Sequence, residues 1–169
     1  LDDLMAQAQG DTDVTGRRWA LAEMVKVATA EKTSAFDRAR IQAAFLEAIE
    51  GDSFWRLRYN ALLQLTTILT PKASDQPLSL DERTTNALKR IIANEKSWVR
   101  AAAVSLLGLT RAPELAPLYI GLLRDVSHPV TYAAAIALGR TKSPLAFQPL
   151  IDVMKIPLWK GENILSGLA

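Results

Sequence analysis

The chain has 169 residues, of which 49% are hydrophobic, so it is long enough to bury a substantial core. Its 20 basic and 18 acidic side chains leave a net charge of +2, which does not demand an acidic partner. The lack of cysteine excludes disulfides, thiolate nucleophiles and cysteine-type metal sites. The sequence shows no signal peptide and no apolar stretch of membrane-spanning length, so we expect a soluble protein. The sequence does not indicate its cellular compartment.

Apolar residues recur at helical spacing along the whole chain, and no stretch alternates as a strand would. The predicted helices cover residues 1–9, 14–29, 34–49, 54–69, 80–93, 97–109, 113–124, 129–140, 144–155 and 159–168. A loop is predicted at residues 70–79, where prolines interrupt the pattern. We expect about five helix pairs in a single domain of residues 1–169. Because the chain begins with Leu1 rather than Met, we expect it to be part of a longer protein.

One block of residues recurs four times along the chain. An acidic residue or asparagine precedes an arginine or threonine by six places, and an alanine follows three places later. The three sets, in chain order, are Asp11, Asp52, Asn94 and Asp125; Arg17, Arg58, Arg100 and Thr131; and Ala20, Ala61, Ala103 and Ala134. Self-similarity at such intervals indicates a repeat array, in which each unit is a helix, a turn and a second helix.

The polar members of the block predict a structural ladder between the units. An aspartate can cap the following helix, and an arginine can reach the acidic group of its own or the neighbouring turn. The predicted ladder consists of Asp11, Arg17, Asp52, Arg58, Asn94, Arg100 and Asp125. Contact of the arginines with a ligand is the alternative. Thr131 offers no guanidinium, so the ladder is expected to break at the fourth unit.

The sequence assigns no catalytic residue and no metal ligand. His128 is the only histidine, and no HExxH motif or phosphate-binding glycine loop occurs. His128 is expected to open a helix, with Pro129 in its first turn. Ser127 precedes His128 directly and is not placed to form a catalytic triad with it. We therefore expect no activity and no cofactor from this chain alone.

Three of the four tryptophans stand where second helices begin, whereas Trp19 is predicted to lie in the core. Together with neighbouring cations they form a possible binding surface, composed of Trp55, Arg56, Trp98, Trp159 and Lys160. Such residues can stack nucleic-acid bases. The alternative is that the rings fill gaps between units. We favour this alternative, and expect no nucleic acid, because nearby acids match the basic residues and no basic stripe is formed.

The repeated block resembles HEAT repeats, and three segments resemble a more specific family. Residues 50–61 are similar to the "DPFWGVR…A" segment in C-terminal helical domains of bacterial zinc aminopeptidases of the aminopeptidase N type. Residues 98–103 resemble the next repeat there, and residues 157–168 the segment that closes such arrays. Ser53, Arg56 and Leu57 depart from the proline, glycine and valine of that pattern.

The resemblance implies an all-α, HEAT-like α-solenoid that serves as a non-catalytic scaffold. Its partner would be the catalytic domain of the same parent chain, which would carry the zinc, and its surface would wall the substrate chamber and contact peptide substrate. One alternative is an independent HEAT-repeat adaptor that binds proteins on its concave face. Another is a HEAT-like DNA-repair protein, which needs a basic groove with a catalytic carboxylate and is disfavoured by the mixed charges.

Overall fold

The computed structural model describes residues 1–70 and 76–155, and no strand occurs among them. The described α-helices are α1 Asp2–Gly10, α2 Val14–Thr29, α3 Ala35–Gly51, α4 Trp55–Leu69, α5 Glu82–Asn94, α6 Ser97–Gly108, α7 Ala116–Leu122, α8 His128–Arg140 and α9 Phe147–Met154. The predicted all-α fold is thereby confirmed for the described part of the chain. The tenth predicted helix, residues 159–168, lies outside the described residues.

Side chains at the helix starts explain several of these boundaries. Asp13, Ser34 and Asp81 each accept a backbone N–H from the first turn of the helix that follows, at 3.0, 3.0 and 2.6 Å. These bonds satisfy donors that a helix leaves free at its beginning. As predicted, α8 begins at His128, with Pro129 in its first turn.

The two segments predicted as helices 113–124 and 144–155 begin with a tighter helical turn than the expected α-helix. Each opens with a 3-10 turn, at Pro113–Leu115 and Pro144–Ala146, before the α-helix proper. Pro117 and Pro149 follow these turns by a few residues. A proline lacks the N–H that would bond to the carbonyl four residues earlier, so the chain closes with shorter-range bonds there.

The helices form four complete pairs, and α9 opens a fifth. The first helices of the pairs (α1, α3, α5, α7 and α9) form one layer and the second helices (α2, α4, α6 and α8) form the other. Successive second helices contact each other more extensively than successive first helices do. A stack that is tighter on one side bends towards it, so the second helices form the inner layer of an α-solenoid.

The repeated alanines lie at the centre of this packing. Ala20, Ala61, Ala103 and Ala134 are fully buried. The larger residues four places further on are also fully buried, namely Met24, Leu65, Leu107 and Leu138. One small and one large side chain per second helix therefore face the core at helical spacing. The buried apolar side chains form one continuous cluster from Ala8 to Val153.

Trp19 was predicted to lie in the core, and this prediction was wrong. Its side chain is 52% exposed, although its neighbour Ala20 is fully buried. Successive helical residues point about 100° apart. The buried Ala20 and Leu21 define the core-facing side of α2. Trp19 is rotated by about 200° from Leu21 and therefore points away from the core.

Candidate functional site

The link between the first two units joins Arg17 on α2 to Asp52 in the turn after α3. Arg17 Nε donates to Asp52 Oδ2 at 2.6 Å, and its Nη2 donates to Oδ1 at 3.2 Å. Arg17 Nη1 also donates to the backbone carbonyl of Asp11 at 2.8 Å. The hydrogen bond from Asp52 raises the pKa of Arg17 above its ordinary value, so the pair favours the charged guanidinium.

The next two units repeat this contact in the same direction along the chain. Arg58 forms an ion pair with Glu95, with 2.7 Å between Nη2 and Oε2, and Arg100 forms an ion pair with Asp125. Arg100 Nε also donates to the carbonyl of Ile92 at 3.1 Å. Each arginine thus reaches forward to the acidic group of the following turn, which ties one helix pair to the next.

Glu95, and not Asn94, is the acidic partner in the third turn. The spacing of the repeated block predicts Asn94 as the ladder residue, because Asn94 stands six places before Arg100. In the structure the exposed Asn94 side chain instead donates to the carbonyl of Arg90 at 3.0 Å. Helix α5 continues through Asn94, and Glu95 is its capping residue, as Asp52 is for α3. The extra helical residue moves the carboxylate one place along the sequence.

Thr131 keeps one half of the contact that an arginine makes. Its Oγ1 donates to the carbonyl of Asp125, six residues earlier, at 3.2 Å. Arg17 makes the corresponding bond to the carbonyl of Asp11, also six residues earlier. Thr131 therefore stabilises the turn of its own unit. It has no positive charge with which to form an ion pair with the following unit.

The three aspartates of the ladder also shape the turns in which they lie. Asp11, Asp52 and Asp125 each accept the backbone N–H two residues later, at 2.9, 2.7 and 2.9 Å. This is the local bond by which aspartate stabilises a turn. Because Asp52 and Asp125 also receive an arginine from the preceding unit, their polar atoms are engaged inside the stack. The geometry therefore favours a structural role for the ladder over ligand contact.

A different set of residues forms an open hollow on the inner layer, which we call the inner groove. Its floor is made of small side chains from α6 and α8, and its sides carry large apolar ones. The lining residues are Tyr59, Leu63, Trp98, Ala101, Ala102, Ser105, His128, Pro129, Tyr132 and Ala133. The groove has a volume of about 440 Å³, a size comparable with known ligand clefts.

Large apolar side chains of the groove are exposed to solvent. Trp98 is 52% exposed, Tyr132 is 59% exposed and Leu63 is 45% exposed. The ring of Tyr59 meets that of Trp98 edge-on, with 6.4 Å between centroids and 72° between planes. This arrangement is favourable for aromatic pairs and holds the Trp98 ring upright beside the alanine floor.

Of the predicted binding residues, the structure places only Trp98 in the inner groove. Trp55 is half-buried against the core, and the Arg56 guanidinium lies 5.2 Å from the centre of its ring. Trp159 and Lys160 lie outside the described residues. Sequence reasoning missed Tyr59 and Tyr132. Tyr59 directly follows Arg58 and Tyr132 directly follows Thr131, so the repeated block contained the signal.

Charge is mixed along the sequence but separated in the fold. Helices α4, α6 and α8 contain no aspartate or glutamate, whereas acidic residues occur in α1, α2, α3, α5, α9 and the turns. Arg58 and Arg100 are engaged by acids, as described above. Arg18 and Arg56 are exposed and form no ion pair with a described residue. The inner layer from α4 to α8 is therefore apolar with a positive bias.

Neither a metal-binding cluster nor a membrane-spanning helix occurs among the described residues. Within residues 1–70 and 76–155, no three His, Cys, Asp or Glu side chains are grouped as a metal would require. In the same part of the chain, no helix combines the length and hydrophobicity needed to cross a membrane.

Comparison with known families gives one match. Residues 84–159 match the family of HEAT repeats, a region that begins within α5, continues through α9 and contains Trp98, Arg100 and Tyr132. No match to a curated protein was found. Together with the helical stack, the match supports a HEAT-like α-solenoid. It describes a repeat architecture and carries no link to an aminopeptidase or to any other enzyme.

Proposed function

We propose that this chain is a non-catalytic helical repeat scaffold that binds protein through its inner layer. The observation that carries the proposal is the inner groove, where the exposed side chains of Trp98, Tyr132 and Leu63 lie together around one hollow. Exposed apolar surface of this kind marks interaction sites, and aromatic residues are enriched in the centres of protein interfaces.

We further propose a parent protein, a zinc aminopeptidase of the aminopeptidase N type. The support is the resemblance of residues 50–61 and 98–103 to repeats in the C-terminal domain of that family. The catalytic domain of the same chain would then be the partner and would hold the zinc. The scaffold would support it and face the peptide substrate.

The parent can be tested on the reading frame that encodes these residues. An HExxH motif upstream, with a further glutamate downstream of it, is expected, since these residues form a catalytic zinc site. The isolated chain should bind no stoichiometric zinc and should not hydrolyse amino-acid anilides. An upstream region without the motif would contradict the parent assignment and favour an independent adaptor.

The scaffold role has a separate test that does not depend on zinc. Residues 1–169 and the upstream region are expressed separately, mixed, and followed by sedimentation velocity. We expect a stable complex if the upstream region is the partner. If the chain does not bind the upstream region but does bind other proteins, the result identifies an adaptor.

A further inference from the structure

We propose that the inner groove binds a peptide segment with an acidic part and an apolar part, in a fixed orientation across the helices. This inference rests on the proposed protein-binding function and specifies its ligand. The acidic part would lie near α2 and the start of α4, and the apolar part over α6 and α8.

The repeat itself defines rows of equivalent positions that cross the inner layer. The residues directly after Arg17, Arg58, Arg100 and Thr131 form one row, namely Arg18, Tyr59, Ala101 and Tyr132. The residues two places before Arg17, Arg58, Arg100 and Thr131 form a second row, namely Thr15, Arg56, Trp98 and Pro129. Equivalent positions on stacked helices are neighbours in space. Each row therefore has an arginine in one of its first two places and continues into apolar residues.

These rows give the groove a direction. Arg18 and Arg56 are exposed and form no ion pair within the described residues, although Arg56 lies over the ring of Trp55. The later members contribute the half-exposed rings of Trp98 and Tyr132. No acidic side chain occurs on α4, α6 or α8 to oppose a negative ligand. On α2 the one acidic residue, Glu23, is already bound to Lys26 at 2.6 Å. Carboxylates are therefore favoured at one end and apolar side chains at the other.

The dimensions suit a short peptide. Four stacked helices about 8–10 Å apart span about 24–30 Å. An extended chain covers about 3.3 Å per residue, so eight or nine residues cross this distance. The small residues Ala101, Ala102 and Ser105 leave the floor open for inserted side chains. A nucleic acid is less well matched, because its backbone needs a track of cations and this surface offers two arginines that form no ion pair within the described residues.

The first experiment identifies peptides. A phage library of random 12-residue peptides is selected on the immobilised chain and counter-selected on the Trp98→Ala/Tyr132→Ala double variant. Circular dichroism and a thermal melt establish that the double variant is folded. We expect enriched peptides to carry Asp or Glu at one end and Leu, Phe or Trp at the other. An absence of enriched peptides, or enrichment without acidic residues, overturns the proposal.

The second experiment tests orientation with the enriched peptide, labelled with fluorescein and followed by anisotropy. Trp98→Ala and Tyr132→Ala singly should each weaken binding at least about tenfold, as truncation of an interface centre does. Arg56→Glu should weaken binding and reduce its salt dependence. A peptide whose acids are replaced by lysines should bind Arg56→Glu better than the wild type. If Arg56 had only a structural role, the Arg56→Glu variant would not change its preference from the acidic peptide to the lysine peptide.

Matched controls use exposed residues of the outer layer. Phe36 on α3 is 71% exposed, and Lys89 on α5 is also exposed. Phe36→Ala and Lys89→Glu should leave the Kd within about twofold. Peptides that bind the wild type and all groove variants equally overturn the groove while leaving the scaffold function intact. Displacement of the peptide by a 20-nucleotide single-stranded DNA at similar affinity also overturns the proposal, in favour of a nucleic-acid surface.

Discussion

The guanidinium of Arg17 is joined to the carboxylate of Asp52, which lies in the turn of the following helix pair, by two parallel hydrogen bonds. The side chains are only 13% and 7% exposed. Because each unit of a solenoid contacts only its neighbours, stability is approximately the sum of unit and interface contributions. The Arg17–Asp52 hydrogen bonds therefore add to the stability contributed by the interface between the first two units.

Removing ladder side chains should destabilise the chain in a defined order. Arg17→Ala should lower the free energy of unfolding by about 1.5–3 kcal/mol, because it leaves Asp52 without its charged donor. Arg58→Ala should cost less, about 1–2 kcal/mol, since Arg58 Nε is buried without a hydrogen-bond partner among the described residues. Thr131→Ala should cost least. Urea unfolding measures all three, and a reversed order would count against the ladder.

Glu95 and Asn94 provide a comparison of neighbouring residues. Glu95→Gln should destabilise by about 1 kcal/mol or more, since it removes the charge that pairs with Arg58. Asn94→Ala should change stability by no more than about 0.5 kcal/mol, because Asn94 is exposed and bonds only to the carbonyl of Arg90 among described groups. Equal effects in guanidinium unfolding would show that Glu95 does not carry the third link.

Two glycines of the inner layer should respond in opposite ways to alanine. A Cβ on Gly108 of α6 would lie 2.6 Å from the Cβ and 3.0 Å from the Cα of Ala137 on α8. Gly108→Ala should therefore force the helices apart and cost about 1–3 kcal/mol. Gly139 has open space at the same atom, so Gly139→Ala should stabilise α8 by about 0.5–1 kcal/mol. Thermal melts showing the same sign for both would refute the close crossing.

The hydroxyl of Tyr119 on α7 is buried and has no hydrogen-bond partner among the described residues. Tyr119→Phe should therefore leave stability unchanged or raise it by up to about 1 kcal/mol, because a desolvated hydroxyl is removed. Tyr119→Ala should cost about 3–5 kcal/mol through the cavity that it leaves. A large loss in the phenylalanine variant would mean that the hydroxyl is bonded.

The same residue predicts a dependence on alkaline pH. Burial, and to a lesser extent the charge of Glu114, raises the pKa of Tyr119 above its usual value of 10.0. The folded state then keeps the proton after the unfolded state has lost it, so stability falls as pH rises above about 10. The slope should be at most about 1.4 kcal/mol per pH unit. Tyr119→Phe should lose that part of the slope, as urea unfolding at several pH values can measure.

The sequence alone determined the helical character and the repeat, because both depend on local spacing. Apolar residues at helical intervals placed the helices, and the recurring Ala20, Ala61, Ala103 and Ala134 marked the buried side of each second helix correctly. Local turn chemistry also placed the start of α8 at His128, since Pro129 favours a first turn.

Only the tertiary structure decided which groups meet between units. A one-residue extension of α5 transfers the partner of Arg58 from Asn94 to Glu95, and fixed spacing cannot detect such a shift. Trp19 and Trp98 are both half exposed, yet only Trp98 lines the inner groove. The groove joins residues from α4, α6 and α8 that are far apart in the chain. Its shape and its charge arise from stacking, which places the acid-free helices α4, α6 and α8 side by side.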